Sequence, residues 1–235
     1  MLSQIESKPM PYKLYLAIVE DFNKLTSFSR KAENMIRKKY KDIPSTTIGS
    51  IISMLVQRSM KLSYRKSPVI SSRYYDLYEN LIKKEDKNWL IVKGIMHDNQ
   101  YGPYADIIKQ SIGLEYELRL EQELKTMNIT FSDESILRLR GYDKTPDFKL
   151  DVPIAVDGFV VNWIESKALF GDEENHLGYL KEQLICYWNR FGPGLVIYWF
   201  GYLETLENTP EVNSMFILRT KFPSKDTITQ YKIDM

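Results

Sequence analysis

Apolar residues recur at helical spacing through residues 12–25, 29–41 and 46–62, so the start of the chain reads as three helices. Pro44 in DIPST breaks the chain before the third, and Ser45 or Thr46 is placed to cap it. A tight turn ahead of a third helix gives a helix-turn-helix outline, with Arg58 and Lys61 expected along a DNA groove or its phosphates. Residues 71–100 read as helical, and a longer helical pattern runs from Gly102-Pro103 to about Met127. From Thr145 the period changes to two. TPDFKLDVPIAV and FVVNWIESKAL read as strands joined by the hairpin dipeptide Asp157-Gly158. A helix over 172–191 capped by Asp172, then the strands GLVIYWFGYL and MFILRT, complete the pattern. The expected organisation is a helical, DNA-binding domain over residues 1–100 and an α/β or α+β domain over 101–235. In the second, a mixed sheet is covered by helices.

Composition narrows the chemistry. The single cysteine, Cys186, excludes an intrachain disulfide and fits a reducing compartment, while two histidines leave little to build a zinc site. Any metal is therefore expected to be held by carboxylates, which points to Mg²⁺ or Mn²⁺. No apolar run reaches the length of a membrane span, and MLSQIESKPMPYK lacks the apolar stretch of a secretory signal. The net charge of +1 hides an asymmetry: residues 1–100 carry 18 Lys/Arg against 10 Asp/Glu, and residues 101–235 carry 14 against 21. A basic half joined to a carboxylate-rich half suits a nucleic-acid-binding surface attached to an acidic site.

The tetrapeptide IESK occurs twice, at 5–8 and 164–167. The first copy is followed by Pro9 at a terminus and has no partner carboxylate before it, so it is set aside. In the second, strand alternation puts Glu165 and Lys167 on one face and Ser166 on the other. The hairpin then brings Asp147 beside Glu165. Two converging carboxylates need a cation between them, and a neighbouring lysine can orient a bound water. A helical wheel anchored on Tyr104, Ile107, Ile108, Ser111, Ile112 and Leu118 puts Glu115 on the inner face and Glu117 opposite. Gln183 and Tyr187 share a helix face, and His176, seven residues before Gln183, is expected to join them against a nucleic-acid strand. Lys144 and Arg190 are expected phosphate contacts, Arg190 because it precedes the Gly192-Pro193-Gly194 turn.

Pro146-Asp147 followed by Glu165-Ser166-Lys167 resembles the signature of the PD-(D/E)xK nuclease superfamily, and QLICY resembles the Gln-hydrophobic-x-x-Tyr element of its RecB-like members. The longer stretches RLRGYDKTPDFKLDVPIAVDG, NWIESKALFGDE and YWNRFGPGLVIYWFGYLE are similar to the TPD-motif branch. The resemblance implies a restriction-endonuclease-like core, divalent-metal-dependent DNA cleavage and N-terminal helix-turn-helix segments. It makes Asp147 and Glu165 metal ligands, Lys167 the catalytic lysine, Glu115 the helix acid, and Gln183 with Tyr187 the helix motif. In a eukaryote it further implies codanin as a partner and a nuclear and cytoplasmic location. The Lys- and Ile-rich composition would suit an archaeal, cytoplasmic member.

Three functions follow from these residues. The first is a metal-dependent nuclease cutting DNA, whether branched or single-stranded, possessing a shell completed by the Ser166 carbonyl and acting as a monomer or homodimer. The second is a non-catalytic DNA- or partner-binding module on a nuclease fold. The third is a nuclease directed at RNA, with Trp163, Tyr187, Trp188 and the Asn189-Arg190 pair contacting unpaired bases, although Trp163 and Trp199 also suit the core.

Overall fold

A computed structural model describes residues 7–25, 30–66 and 103–230; the helical reading of 71–100 lies outside them. The elements are α1 (Tyr12–Asn23), α2 (Arg30–Lys39), α3 (Ser45–Lys66), α4 (Pro103–Thr126), β1 (Phe131–Asp133), α5 (Glu134–Leu139), β2 (Phe148–Val156) and β3 (Phe159–Lys167). Then come α6 (Glu173–Tyr179), a π-helical turn (Leu180–Leu184), α7 (Ile185–Phe191), β4 (Gly194–Tyr198), β5 (Phe216–Arg219) and β6 (Ile228–Gln230). Among the described residues no helix is long and apolar enough to cross a membrane.

The hairpin is the organising turn. Asp157 and Gly158 both take positive φ, 51° and 82°, as a type I′ turn requires, and β2 and β3 pair antiparallel on either side. The sheet runs β1-β2-β3-β4-β5, with β6 alongside the Ile154–Val156 end of β2. Strands β1, β2 and β3 are antiparallel, whereas β3, β4 and β5 are parallel, so the expected mixed sheet is present. Strands β1 and β6 were not foreseen; at three residues each, neither is long enough to show alternation.

Alternation along β4 builds two cores. Leu195, Ile197 and Trp199 face Leu120 and Leu124 of α4, while Val196 and Tyr198 face the opposite layer. That layer contains Leu184 and Tyr187 together with Ile18 of α1, Ile36 of α2, and Ile48 and Ile51 of α3. Helices α1–α3 therefore share the sheet's core, and residue 100 is not a break between two separate hydrophobic interiors among the described residues. Ser50 Oγ accepts the Phe170 N–H at 2.8 Å, which ties α3 to the segment after β3.

This packing corrects the DNA contact expected of Arg58. Thr47, Ile48, Ile51, Ile52, Met54 and Leu55 are all buried, so the first half of the helix is embedded instead of presenting an open face. Arg58 is engaged within the protein: its guanidinium pairs with the buried Asp172 and, at 2.7 Å, with Glu174. The side chain of Lys61 lies outside the described residues.

Trp163, fully buried, lies across β4 at Gly194, and its Nε1 donates to the Gly192 carbonyl at 2.8 Å. A Cβ at residue 194 would stand 2.1 Å from the indole. Gly194→Ala is therefore expected to lower unfolding stability by about 1–3 kcal/mol through overpacking, read from the midpoint of a urea titration.

Candidate active site

Phe148 pairs with Ile164, and this register sets Asp147, just before β2, next to Glu165. The Asp147 N–H donates to Glu165 Oε2 at 3.2 Å, and the Ser166 N–H donates to Asp147 Oδ2 at 2.7 Å. Lys167 Nζ donates to Glu165 Oε1 at 2.6 Å and to Gln183 Oε1 at 3.0 Å. The same ammonium lies 4.4 Å from the centroid of the Tyr179 ring. As strand alternation dictates, Ser166 turns the other way: its hydroxyl accepts from Trp199 Nε1 at 2.9 Å.

Asp147, Glu165, Ser166, Lys167 and Gln183 line a cleft of about 320 Å³. Glu117 of α4, Glu134 and Arg138 of α5, the Asp143–Thr145 loop, Glu182 and Tyr187 form the rest of its wall. Burial pushes the Asp147 carboxyl well above the usual carboxylate range, and the neighbouring Glu165 charge pushes the same way. Glu117 is raised for the same reasons, in the same order. Burial works against the Lys167 ammonium, but Glu165 and Asp147 outweigh it and raise its pKa. One lysine thus answers for two close carboxylates.

The remaining expected residues distribute unevenly. Glu115 is exposed, and the α4 acid on the cleft is Glu117. The wheel was anchored on the start of α4 and on Leu118, which is exposed; the packed stripe is Ile112, Tyr116, Leu120 and Leu124, on nearly the opposite face. His176 is a second correction. It is buried under the sheet, with Nδ1 hydrogen-bonded to the Tyr198 hydroxyl at 2.9 Å and its pKa lowered by burial to about 4. The π turn between His176 and Gln183 changes the helical phase, so seven residues no longer bring the two to one face. Gln183 and Tyr187 do reach the cleft, and Tyr187 packs edge-on against Trp163. Lys144 lies at the cleft mouth with its ammonium on the Glu182 carbonyl. Arg190 donates to the Lys144 carbonyl at 2.8 Å and to Asp143 at 3.1 Å, holding that loop.

Tyr179 was missed by sequence reasoning, although its position four residues before Gln183 was the available signal. Glu134 and Arg138, 13 and 9 residues before Asp147, were missed as well.

A divalent cation suits the donor set on chemical grounds. The buried donors are carboxylate oxygens, and their negative charge exceeds what Lys167 offsets. Among the described residues no group of three or more His, Cys, Asp or Glu forms a ready cage. Mg²⁺ is commonly held by one or two carboxylates and several waters, which matches Asp147 and Glu165.

Fold and cleft define a mixed α/β protein with an acidic, lysine-containing site at the C-terminal end of β3, inside the sheet. The chain belongs to the family described as "Protein of unknown function TPD sequence-motif", which matches residues 83–221 and so includes Thr145-Pro146-Asp147. It is 55% identical over 129 residues to the CDAN1-interacting nuclease 1 of Xenopus laevis, covering 55% of this chain and 42% of that protein. To the human protein of that name it is 52% identical over 130 residues, covering 55% of this chain and 46% of the relative. The mouse protein gives 51% over 135 residues, 57% of this chain and 47% of the relative. The chain thus spans somewhat under half the length of these relatives. They are vertebrate proteins and lend no support to an archaeal source. No solved structure matches the chain.

The electrostatics make a stability prediction. A carboxyl whose folded pKa is raised binds more protons in the folded state, so its ionisation removes stability as pH rises from the unfolded value through the folded one. Metal-free Asp147→Asn is therefore expected to melt above the wild type at pH 7–8. The gap should narrow as pH falls toward about 4, where the unfolded aspartate also takes up its proton. Thermal unfolding of both proteins across that range checks it.

Proposed function

We propose that this protein is a divalent-metal-dependent nuclease that hydrolyses DNA phosphodiesters at a PD-(D/E)xK-type site. The observation that carries this reading is the convergence of Asp147, Glu165 and Lys167 in one cleft, joined by hydrogen bonds of 2.6–3.2 Å. The relatives over residues of this region are named as nucleases, which agrees with it. Asp147 and Glu165 would hold Mg²⁺ or Mn²⁺, with the Ser166 carbonyl completing the shell and Glu117 standing where Glu115 was expected. When bound, the ion would supply charge neutralisation at the phosphate and would polarise a coordinated water, making its proton easier to remove.

Lys167 keeps its charge, because the carboxylates beside it raise its pKa. It therefore orients the attacking water and offsets negative charge growing on the phosphate; it does not serve as the base. An ammonium has three N–H donors. Glu165 and Gln183 take one each, which leaves one for water or a phosphate oxygen. Gln183 offers its carbonyl oxygen to the lysine and so fixes where that last donor points. The ring of Tyr179 steadies the ammonium from another side. Arg138 and Lys144 lie where the flanking phosphates enter. The relatives' name also suggests an interaction with CDAN1, the codanin partner, for this chain.

Incubating the purified protein with single-stranded, duplex and branched DNA, and with RNA, in Mg²⁺ or Mn²⁺ tests the reading. DNA cleavage should depend on the metal and fall roughly 100–1,000-fold in Lys167→Ala, the scale seen when a transition-state stabiliser is removed. Asp147→Ala should abolish it, and Gln183→Ala should lower it less than Lys167→Ala. Cleavage that persists at wild-type rates in the Asp147 and Lys167 variants, or that is confined to RNA, would overturn the assignment.

A further inference from the structure

Beside the cleft mouth lies a small basic and aromatic island, of which the proposed cleavage step uses only Arg138 and Lys144. Residues 101–235 carry 14 Lys/Arg against 21 Asp/Glu, yet four of those cations, Arg138, Arg140, Lys144 and Arg190, gather around one loop. Within the loop Tyr142 is 36% exposed, and the neighbouring Leu139 is 89% exposed. The Arg190 guanidinium lies over the Tyr142 ring at 5.4 Å from its centroid. Phe191 supports that ring edge-on at 5.4 Å.

Local geometry holds Tyr142 in place. Arg140 caps the C-terminal end of α5, and Gly141 follows with φ of 89°. The Tyr142 N–H then donates to the Leu137 carbonyl at 3.2 Å, and the Gly141 N–H to the Arg138 carbonyl at 2.9 Å. This is the Schellman pairing, which fixes the direction in which the chain leaves a helix. Arg190 ties the same loop to α7 through Asp143 and the Lys144 carbonyl. The exposed ring therefore stands on a support fixed at both ends, five residues before Asp147.

We propose that Tyr142, backed by Arg190, is a stacking platform for an unpaired base, and that the strand delivered to the cleft is single-stranded DNA. This rests on the nuclease reading and narrows it. A ring face at the surface can only be used by a base free of its duplex partner, whereas the cations around it serve the phosphates on either side. Charge complementarity fits that occupant: Arg138 and Arg190 are paired with Glu134 and Asp143, which leaves Arg140 and Lys144 as excess positive charge for the phosphate backbone at the rim of an acidic cleft. The strand is taken as deoxyribose from the nuclease reading, and RNA is the competing arm of the test.

The test is fluorescence anisotropy with labelled oligonucleotides, single-stranded DNA, duplex DNA and single-stranded RNA, using full-length protein without divalent metal. Binding is thereby separated from cleavage. Single-stranded DNA should bind tightest, Tyr142→Ala should weaken it by about 10-fold, and Tyr142→Trp should restore it, as loss of one stacked base predicts. Arg140→Ala should weaken all DNA and reduce the salt dependence of binding. Duplex or RNA binding tighter than single-stranded DNA, no measurable binding, or an unchanged Tyr142→Ala protein would overturn the platform. Platform binding without any metal-dependent cleavage would leave the platform standing and sink the nuclease reading instead.

Discussion

Asp147 and Glu165 are forced together by the register of two strands, in a place where burial makes their charges expensive. The Asp147 carboxyl responds by holding its proton more tightly. Glu165, 3% exposed, takes the Lys167 ammonium on one oxygen and a backbone N–H on the other. Such an arrangement is poor economy for a structural ion pair, since a well-packed apolar pair would often stabilise a core more. On the proposed metal-dependent reading, a divalent ion bound there would offset that electrostatic cost.

The rest of the molecule serves that site. Hairpin twist and the Phe148–Ile164 pairing set the two acids, and parallel pairing of β3 with β4 stiffens the strand that carries Glu165 and Lys167. Opposite them, the π turn carries Gln183, with Tyr179 just before it and Tyr187 just after. The N-terminal helices reach this wall indirectly. Asp172 caps α6 through the Asn175 N–H at 3.1 Å, and the same carboxylate pairs with Arg58 from α3. A cap that is also a buried ion pair links the helical layer to the wall of the cleft. Arg58, at least, is spent inside the protein and serves this packing.

Local signals in the sequence were enough for the hairpin, the mixed sheet and the Asp147–Glu165–Lys167 set. A turn dipeptide and strict alternation act over a few residues, so a short stretch of residue order exposes them. Readings that depended on helical phase over longer spans fared worse. Glu115 was chosen from the first turns of α4, while Leu120 and Leu124 decide which face packs. His176 was aligned with Gln183 by a spacing that holds only without the π turn between them. Arg58 looked like a DNA contact because nothing in a sequence shows that Asp172, more than a hundred residues away, folds against it. Tyr142 escaped notice because a single tyrosine after a glycine carries no period at all.

The most direct measurement is a calorimetric titration of Mn²⁺ into the protein near pH 7. The account predicts binding at one site and loss of that binding in Asp147→Ala. A folded wild-type protein that takes up no Mn²⁺, or that binds it equally well with Asp147 replaced, would contradict it.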